Sequence, residues 1–281
     1  MSDGTLIEVQ GHDTLDLLHR ISTQALLDLT PGETRVAAFC DFRGRLQHRV
    51  WVARTGTAVW LTRPDATSGA LIAFLDRCIF REDVRMTDRS ADVEVTWIEP
   101  GSFAVSSVVD RNGRPARLRA ARGPGLDVTG RDETVAMDVR PFDERARIRA
   151  GEPAHGHEIV DDFTPFEVNL GDALHLDKGC FTGQETLQRL VTHDSVRRRL
   201  FRVGGDGEPP SVPSDVLREG TAVGRLTSAS AGDADRWVGL AVLRRELRDA
   251  TGLTLESGDA LRRIEPVPLA RPLGRPWAAE D

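Results

Sequence analysis

Tyrosine is absent from this 281-residue chain, so no phenol can serve as an acid or base. Cysteine is scarce. Cys40, Cys78 and Cys180 are far apart and odd in number, and none forms a C-x-x-C pair. That pattern argues against a disulfide framework and against a zinc cage. It also leaves too few thiolates for a permanent four-cysteine iron–sulfur cluster. No apolar run approaches the roughly 18 residues that a membrane span needs. The start, Met1-Ser2-Asp3-Gly4, lacks a basic residue ahead of an apolar block, so no secretory signal is expected and the cytoplasm is the expected compartment. Excess positive charge is missing too. The formal net charge is -7 and the pI is near 5.6, which argues against duplex nucleic acid as the main partner while leaving a local basic patch open. What remains is an ordinary globular composition, 29% charged and 40% hydrophobic, with length enough for two or three small domains.

One stretch stands out, Lys178-Gly179-Cys180-Phe181-Thr182-Gly183-Gln184-Glu185. Its two glycines permit a sharp turn or a close backbone approach. The residues after it place Leu187, Leu190 and Val191 on one helical face. Cys180 is then expected just before a helix N-terminus, with Lys178 two residues upstream. Unpaired backbone N–H groups and an ammonium both favour thiolate over thiol. The same residues also fit a buried cysteine in a tight turn, packed as a small hydrophobe.

Elsewhere the patterns are mixed. Thr5–Val9, Thr34–Cys40, Leu46–Val52 and Ala58–Thr62 read as strands, with Asp41 to Gly44 as a turn. Asp13 is placed to cap a helix carrying Leu15, Leu18 and Ile21. A helix opening at Pro64 sets Leu71, Phe74, Leu75, Cys78 and Ile79 on one face, which puts Cys78 in a core. Further strands are expected over Val84–Ile98 and Phe103–Val109, loops around short strands from Arg111 to Gly130, and a short charged helix over Asp143–Arg149. Strands follow from Arg197, interrupted at Gly204 to Pro210, then run from Gly220 to Leu243 around a polar loop at Ser228–Asp235. Pro266, Pro268, Pro272 and Pro276 suit an extended tail. Strands on both sides of the Pro64 helix make an α+β unit, ferredoxin-like in pattern. His155 and His157 flank a glycine, but no third ligand stands near them for a metal. The five tryptophans, Trp51, Trp60, Trp97, Trp237 and Trp277, read as core or channel lining rather than a nucleic-acid platform.

The eight-residue stretch matches the K-G-C-[YF]-x-G-Q-E signature and resembles the folate-binding YgfZ family. That family is a branch of the glycine-cleavage T-protein superfamily linked to iron–sulfur protein maintenance. Other steps are similar: Ile7 to Asp13 followed by Leu17-Leu18, Pro31-Gly32, Phe42 to Leu46, Thr164-Pro165-Phe166-Glu167, Leu226-Thr227-Ser228 and Gly239-Leu240-Ala241. The resemblance implies an α+β fold of three domains in a ring around a central channel, with a ferredoxin-like unit and a small C-terminal β-barrel. The implied segmentation is a split folate-binding domain over 1–48 and 110–200, an inserted unit over 49–109, and a barrel domain over 201–281. It implies tetrahydrofolate or a one-carbon derivative as cofactor and iron–sulfur client proteins as partners. Cys180 and Lys178 would carry the chemistry. Glu167 would bond the pterin, since a carboxylate accepts paired N–H groups. Arg189, Arg198 and Gln184 complete the expected cofactor set, guanidinium suiting the carboxylates of a glutamate tail. For the arginines a solvated charge run is an equal reading.

There is one departure. T-proteins that transfer an aminomethyl carbon carry an aspartate where this chain has Gln47 or His48. His48 is available as a base near neutral pH but does not replace the carboxylate's charge. Three functions follow: folate-binding support of iron–sulfur proteins, a folate-dependent one-carbon transferase, and a folate-free scaffold.

Overall fold

Thr5-Leu6-Ile7-Glu8-Val9-Gln10 buries Leu6, Ile7 and Val9 and pairs on both sides, which makes it a central strand. In the computed structural model the described residues are 4–31, 33–55, 58–99, 102–107, 117–120 and 143–269. In chain order they form β1 (Thr5–Gln10), α1 (Thr14–Ile21), β2 (Thr34–Cys40), β3 (Leu46–Thr55), β4 (Ala58–Arg63), α2 (Ser68–Asp76) and β5 (Arg85–Asp88). Next come β6 (Val93–Glu99), β7 (Ser102–Ser107), β8 (Arg117–Ala120), α3 (Glu144–Ala150) and α4 (Gln184–Thr192). The last run is β9 (Arg198–Asp206), β10 (Ser214–Arg218), β11 (Thr221–Ala231), β12 (Arg236–Arg244), β13 (Leu253–Leu255) and β14 (Arg263–Pro266). This is an α+β architecture. The rest of the proline-rich tail, the loops over 121–142, Gly32 and the Trp97 and Trp277 side chains lie outside the described residues.

Two compact units result. The first comprises residues 1–41, 48–142 and 173–184; the second comprises 42–47, 143–172 and 185–281. A boundary after position 48 falls inside β3, whose strand partners lie in the same sheet as β1. The first unit holds the sheet β2-β3-β4-β1-β5 and the smaller β6-β7-β8 sheet. Ile7, Val9, Phe39, Val50, Val52 and Leu61 of the five-stranded sheet share a core with Leu18 of α1 and with Leu71 and Leu75 of α2. Two helical readings shift. The α2 helix starts at Ser68 and ends before Cys78, which is only half-buried rather than a core residue. Asp13 stands at the N-cap position of α1 without capping it. Its carboxylate instead accepts from the Asp83 N–H at 2.8 Å and faces His12 at 2.9 Å.

The second unit carries the C-terminal barrel domain, an antiparallel six-stranded sheet ordered β13-β10-β11-β12-β9-β14. The expected interruption begins at Gly207 rather than Gly204, because β9 continues through Asp206. Trp237 sits opposite Gly205 across the ladder, and a Cβ there would lie 2.6 Å from the indole nitrogen. The glycine leaves room for the aromatic ring, and the ring covers the backbone that glycine would expose. The polar loop is likewise shorter than the composition suggests: Ser228, Ala229 and Ser230 pair with Leu240, Gly239 and Val238.

A buried polar knot joins α3 and the loop after it to β11 within this unit. Glu158 is fully buried. It accepts from Arg147 at 3.0 Å, from the Ser228 hydroxyl at 2.6 Å, from the Ala154 N–H at 3.1 Å and from the Thr227 hydroxyl. Arg147 also donates to the Glu152 carbonyl at 2.7 Å and to Ser228 at 2.6 Å. Every charge in the knot is matched. Removing one partner strands the others in a low-dielectric interior. Glu158→Gln is expected to lower stability by about 3 kcal/mol in urea unfolding. Asp233→Asn, which breaks exposed pairs with Arg145 and Arg149, is expected to leave the midpoint unchanged. Equal effects of the two substitutions would contradict this reading.

Candidate functional site

The segment from Ala173 to Gln184 has almost no regular structure, and side chains give it its shape. The Thr23 hydroxyl donates to the Ala173 carbonyl at 2.6 Å, and the His175 N–H donates to the Thr23 carbonyl at 2.8 Å. At the far end the Gln184 amide donates to the Leu176 carbonyl at 2.9 Å, closing the loop on itself. Leu174, Leu176 and Phe181 are buried beneath it. Gly179 turns at φ +108°, a conformation that residues with a Cβ avoid.

The tightest tie runs to α1. Lys178 Nζ donates to the His19 carbonyl, and His19 Nε2 in turn meets the Lys178 carbonyl at 3.0 Å. The Leu26 N–H donates to His19 Nδ1 at 3.1 Å, so Nδ1 is the acceptor and Nε2 carries the proton. Each residue's side chain thus donates to the other's main chain. Lys178 is the only lysine among 37 Lys and Arg residues. Its ammonium also lies 4.9 Å from the centroid of the Phe181 ring. Burial lowers the Lys178 pKa to about 8. Burial, followed by the charge of Lys178, lowers that of His19.

Cys180 follows this clamp and is exposed. The reading as a buried turn cysteine is therefore overturned. Phe181, Thr182 and Gly183 separate it from the first residue of α4, Gln184, so it precedes the helix as expected. The other thiols are withheld. Cys40 is buried, and burial pushes its thiol far up. Burial also raises Cys78, whose Sγ donates to the Phe74 carbonyl at 3.5 Å.

The second unit contains an open cavity of about 950 Å³. The hairpin tip, the turn around Thr164, α4 and the ends of β9, β11 and β12 line it. Glu167 and Arg198 meet in its wall. Arg198 Nε donates to Glu167 Oε1 at 2.7 Å, while Oε2 accepts from the Thr164 N–H at 2.8 Å and the Thr164 hydroxyl at 3.1 Å. Arg45 stands 3.7 Å from the same oxygen. The Arg198 guanidinium also lies 5.2 Å from the Phe163 centroid and 3.2 Å from the Asp162 carbonyl. Both oxygens of Glu167 are therefore engaged within the wall. Arg189 does not line the cavity. It pairs with Glu185 at 2.6 Å along the exposed side of α4. Of the expected cofactor residues, Glu167 and Arg198 are brought together, Gln184 braces the motif loop, and Arg189 lies outside. Neither His19 nor Arg45 was expected in a site: a histidine late in a helix carries no local signal, and Arg45 stood only within the Phe42 to Leu46 step of the resemblance.

His48, one of the two residues expected at the T-protein aspartate's position, has its Nδ1 3.0 Å from Arg63 Nη1. A guanidinium only donates, so Nδ1 accepts and the neutral ring keeps its proton on Nε2. The expected base role for His48 fails at Nδ1, since Arg63 occupies its lone pair. Burial lowers the Arg63 pKa to about 10, which still leaves it charged near neutrality. Among the described residues no group of three or more His, Cys, Asp or Glu side chains is arranged to hold a metal. His157 Nδ1 instead faces the Thr227 carbonyl at 2.9 Å. No helix among the described residues is long and apolar enough to cross a membrane.

Residues 197–272 match the CAF17 C-terminal beta-barrel domain. The glycine cleavage aminomethyltransferase T of Bartonella henselae superposes with a TM-score of 0.65 at 16% identity, over 92% of this chain and 82% of that one. The fold is therefore that of the glycine-cleavage T-proteins. A chloroplastic Arabidopsis thaliana protein whose name assigns it to the transferases is 34% identical over 80% of this chain, which spans 60% of that relative's length. A mitochondrial iron-sulfur cluster assembly factor IBA57 homolog of Phaeosphaeria nodorum is 28% identical over 90% of this chain and 71% of its own. The tRNA-modifying protein YgfZ of Vibrio vulnificus is 22% identical over 94% of this chain and 89% of its own. The chain is thus similar in sequence to IBA57 and YgfZ proteins and carries the T-protein fold.

The linkage of Lys178 to folding has a definite sign. Its pKa is about 8 when folded and 10.5 ordinarily, so between those values the unfolded chain holds one more proton. Stability gained from this group therefore rises with pH across that window. Thermal unfolding of wild type and Lys178→Met, compared from pH 7 to pH 10.5, should show the wild type gaining on the variant. His19 acts at the other end: held neutral when folded, it loses stability as pH falls below its ordinary 6.5. A His19→Gln variant should be less acid-sensitive than wild type between pH 7 and pH 5. Differences that stay flat with pH would contradict both assignments.

Proposed function

We propose that this protein supports the assembly or repair of iron–sulfur proteins in a folate-linked role, with Cys180 as the reacting group. The observation that carries the reading is the contrast among the thiols: Cys180 is exposed on a clamped loop, Cys40 is buried and Cys78 is half-buried. A thiol displayed on a fixed loop suits contact with a partner's surface. The names of the mitochondrial and Vibrio relatives, iron–sulfur cluster assembly factor and tRNA-modifying protein, support a role of this kind. The likeness to an aminomethyltransferase supports folate as the small molecule.

The fit to folate is uneven at the level of single residues. Arg198 and its neighbours suit the carboxylates of a glutamate tail. Glu167 already accepts at both oxygens and serves first as the anchor of Arg198, which leaves Oε1 with room for one further donor. When bound, tetrahydrofolate would supply a carrier for one-carbon groups. Arg198 and Arg45 would hold its anionic end, with Glu167 fixing Arg198 in place. Aminomethyl transfer is the weaker reading, because Gln47 or His48 stands where the T-proteins have a carboxylate, and Arg63 adds positive charge beside His48.

In a deletion strain, Cys180→Ser is expected to lose restoration of iron–sulfur enzyme activity, while Cys78→Ser keeps it. Full restoration by Cys180→Ser would remove the thiol from the mechanism. Titration calorimetry with tetrahydrofolate should show binding by wild type and at least tenfold weaker binding by Glu167→Ala. No binding by wild type would move the protein to a folate-free scaffold.

A further inference from the structure

The cavity of the second unit is rich in positive charge beyond the Arg198 and Arg45 assigned above to folate. Seven of its lining residues are arginines, against the four carboxylates of Asp162, Glu167, Asp215 and Glu246. The chain as a whole carries a formal charge of -7, so this local excess runs against the background. Arginine is nearly the only cation in this protein, so its identity alone is uninformative. Convergence on one cavity is the informative feature.

Most of these guanidiniums are already held. Arg198 is bound to Glu167, Arg225 to Asp162 at 2.5 Å, and Arg245 to Asp194 at 2.7 Å and 2.9 Å. Arg197 and Arg244 differ. Both are exposed at the cavity, and neither guanidinium has an acceptor or ion-pair partner among the described residues. They arise from neighbouring backbone. Arg244 is opposite Arg198 in the β9–β12 ladder, and the Arg197 carbonyl accepts from the Arg245 N–H at 2.8 Å. Adjacent strands lie about 5 Å apart. An anion placed between two such like charges gains from both.

We propose that this cavity is a binding site for a compact polyanion, a chain of linked phosphates either free or carried by a nucleotide. Arg197 and Arg244 grip the phosphates, and Arg198, Arg225 and Arg245 are held by their acids as the charged surround. Linked phosphates place several negative oxygens within the reach of two neighbouring guanidiniums, and guanidinium matches phosphate oxygens in paired hydrogen bonds. Carboxylates on successive glutamates are spread more widely along their chain. The volume, about 950 Å³, is that of a nucleotide-sized pocket.

The test is calorimetry on the full chain with inorganic triphosphate, ATP and triglutamate at two salt concentrations. The expected result is one triphosphate site that weakens with salt, and weakens at least tenfold in the Arg197→Gln/Arg244→Gln variant. ATP binding more tightly than triphosphate identifies a nucleotide as the ligand, and equal binding identifies free polyphosphate; both support the site. No triphosphate binding, binding of triglutamate alone, or unchanged affinity in the variant overturns it. On wild type, triphosphate should also slow phenylglyoxal modification of Arg197 and Arg244, read by peptide mass; unprotected arginines overturn the proposal without any variant. Neither readout involves folate, so its failure is separate from that of the folate reading.

Discussion

The reciprocal exchange between His19 and Lys178 is the constraint on which the motif loop depends. Two side chains each donate to the other's main-chain carbonyl, and the histidine's second nitrogen accepts from Leu26. The arrangement requires His19 to be neutral and in one tautomer, and burial together with the neighbouring ammonium keeps it so. It also explains why a chain so rich in arginine has a lysine here. A compact ammonium serves a single carbonyl and rests on the face of Phe181, whereas a planar guanidinium fork is shaped for carboxylates. With Lys178 and Gln184 both drawn to main-chain carbonyls, the loop presents Cys180 outward.

The same logic of matched polar groups recurs where charge is buried deeper. In the first unit Arg49 is wholly buried, bonded to Asp65 at 3.1 Å and stacked 4.3 Å from Trp51. In the second, Glu158 and Arg147 are held by the hydroxyls of Thr227 and Ser228. The Leu-Thr-Ser step of β11 is thus a device for folding, its hydroxyls ending inside the knot. A buried ion pair surrounded by donors adds little net stability over an apolar pair but fixes one arrangement strongly, since losing either partner is costly. The arginines of the cavity differ in kind. They face solvent, and two of them lack a matching acid.

Much of this was legible from one sequence. The alternation in Thr5–Gln10 and Thr34–Cys40 marked strands, and the fixed positions of Lys178 to Glu185 marked the superfamily. The paired strands from Arg198 onward marked the barrel domain. What the sequence concealed depended on distant partners. Nothing near Asp13 shows that Asp83 will claim its carboxylate. Nothing near Gly205 shows that Trp237 will cover it and carry the strand onward. Glu158 reads as one more charged residue before an apolar pair, yet it is fully buried because Arg147, Thr227 and Ser228 converge on it. The site divides in the same way. Cys180 and Lys178 lie within a contiguous motif. His19 and Arg45 reach their places only through the fold, and Glu167, read as a ligand contact, is engaged by Arg198 and Thr164.

The most direct test of the account is the relative reactivity of the three cysteines in the native protein, followed by timed alkylation with iodoacetamide and peptide mass analysis. Cys180 should be modified first and to completion, Cys78 slowly, and Cys40 only on unfolding. Modification of Cys78 or Cys40 as fast as Cys180 would contradict the claim that the clamped loop exists to display a single thiol.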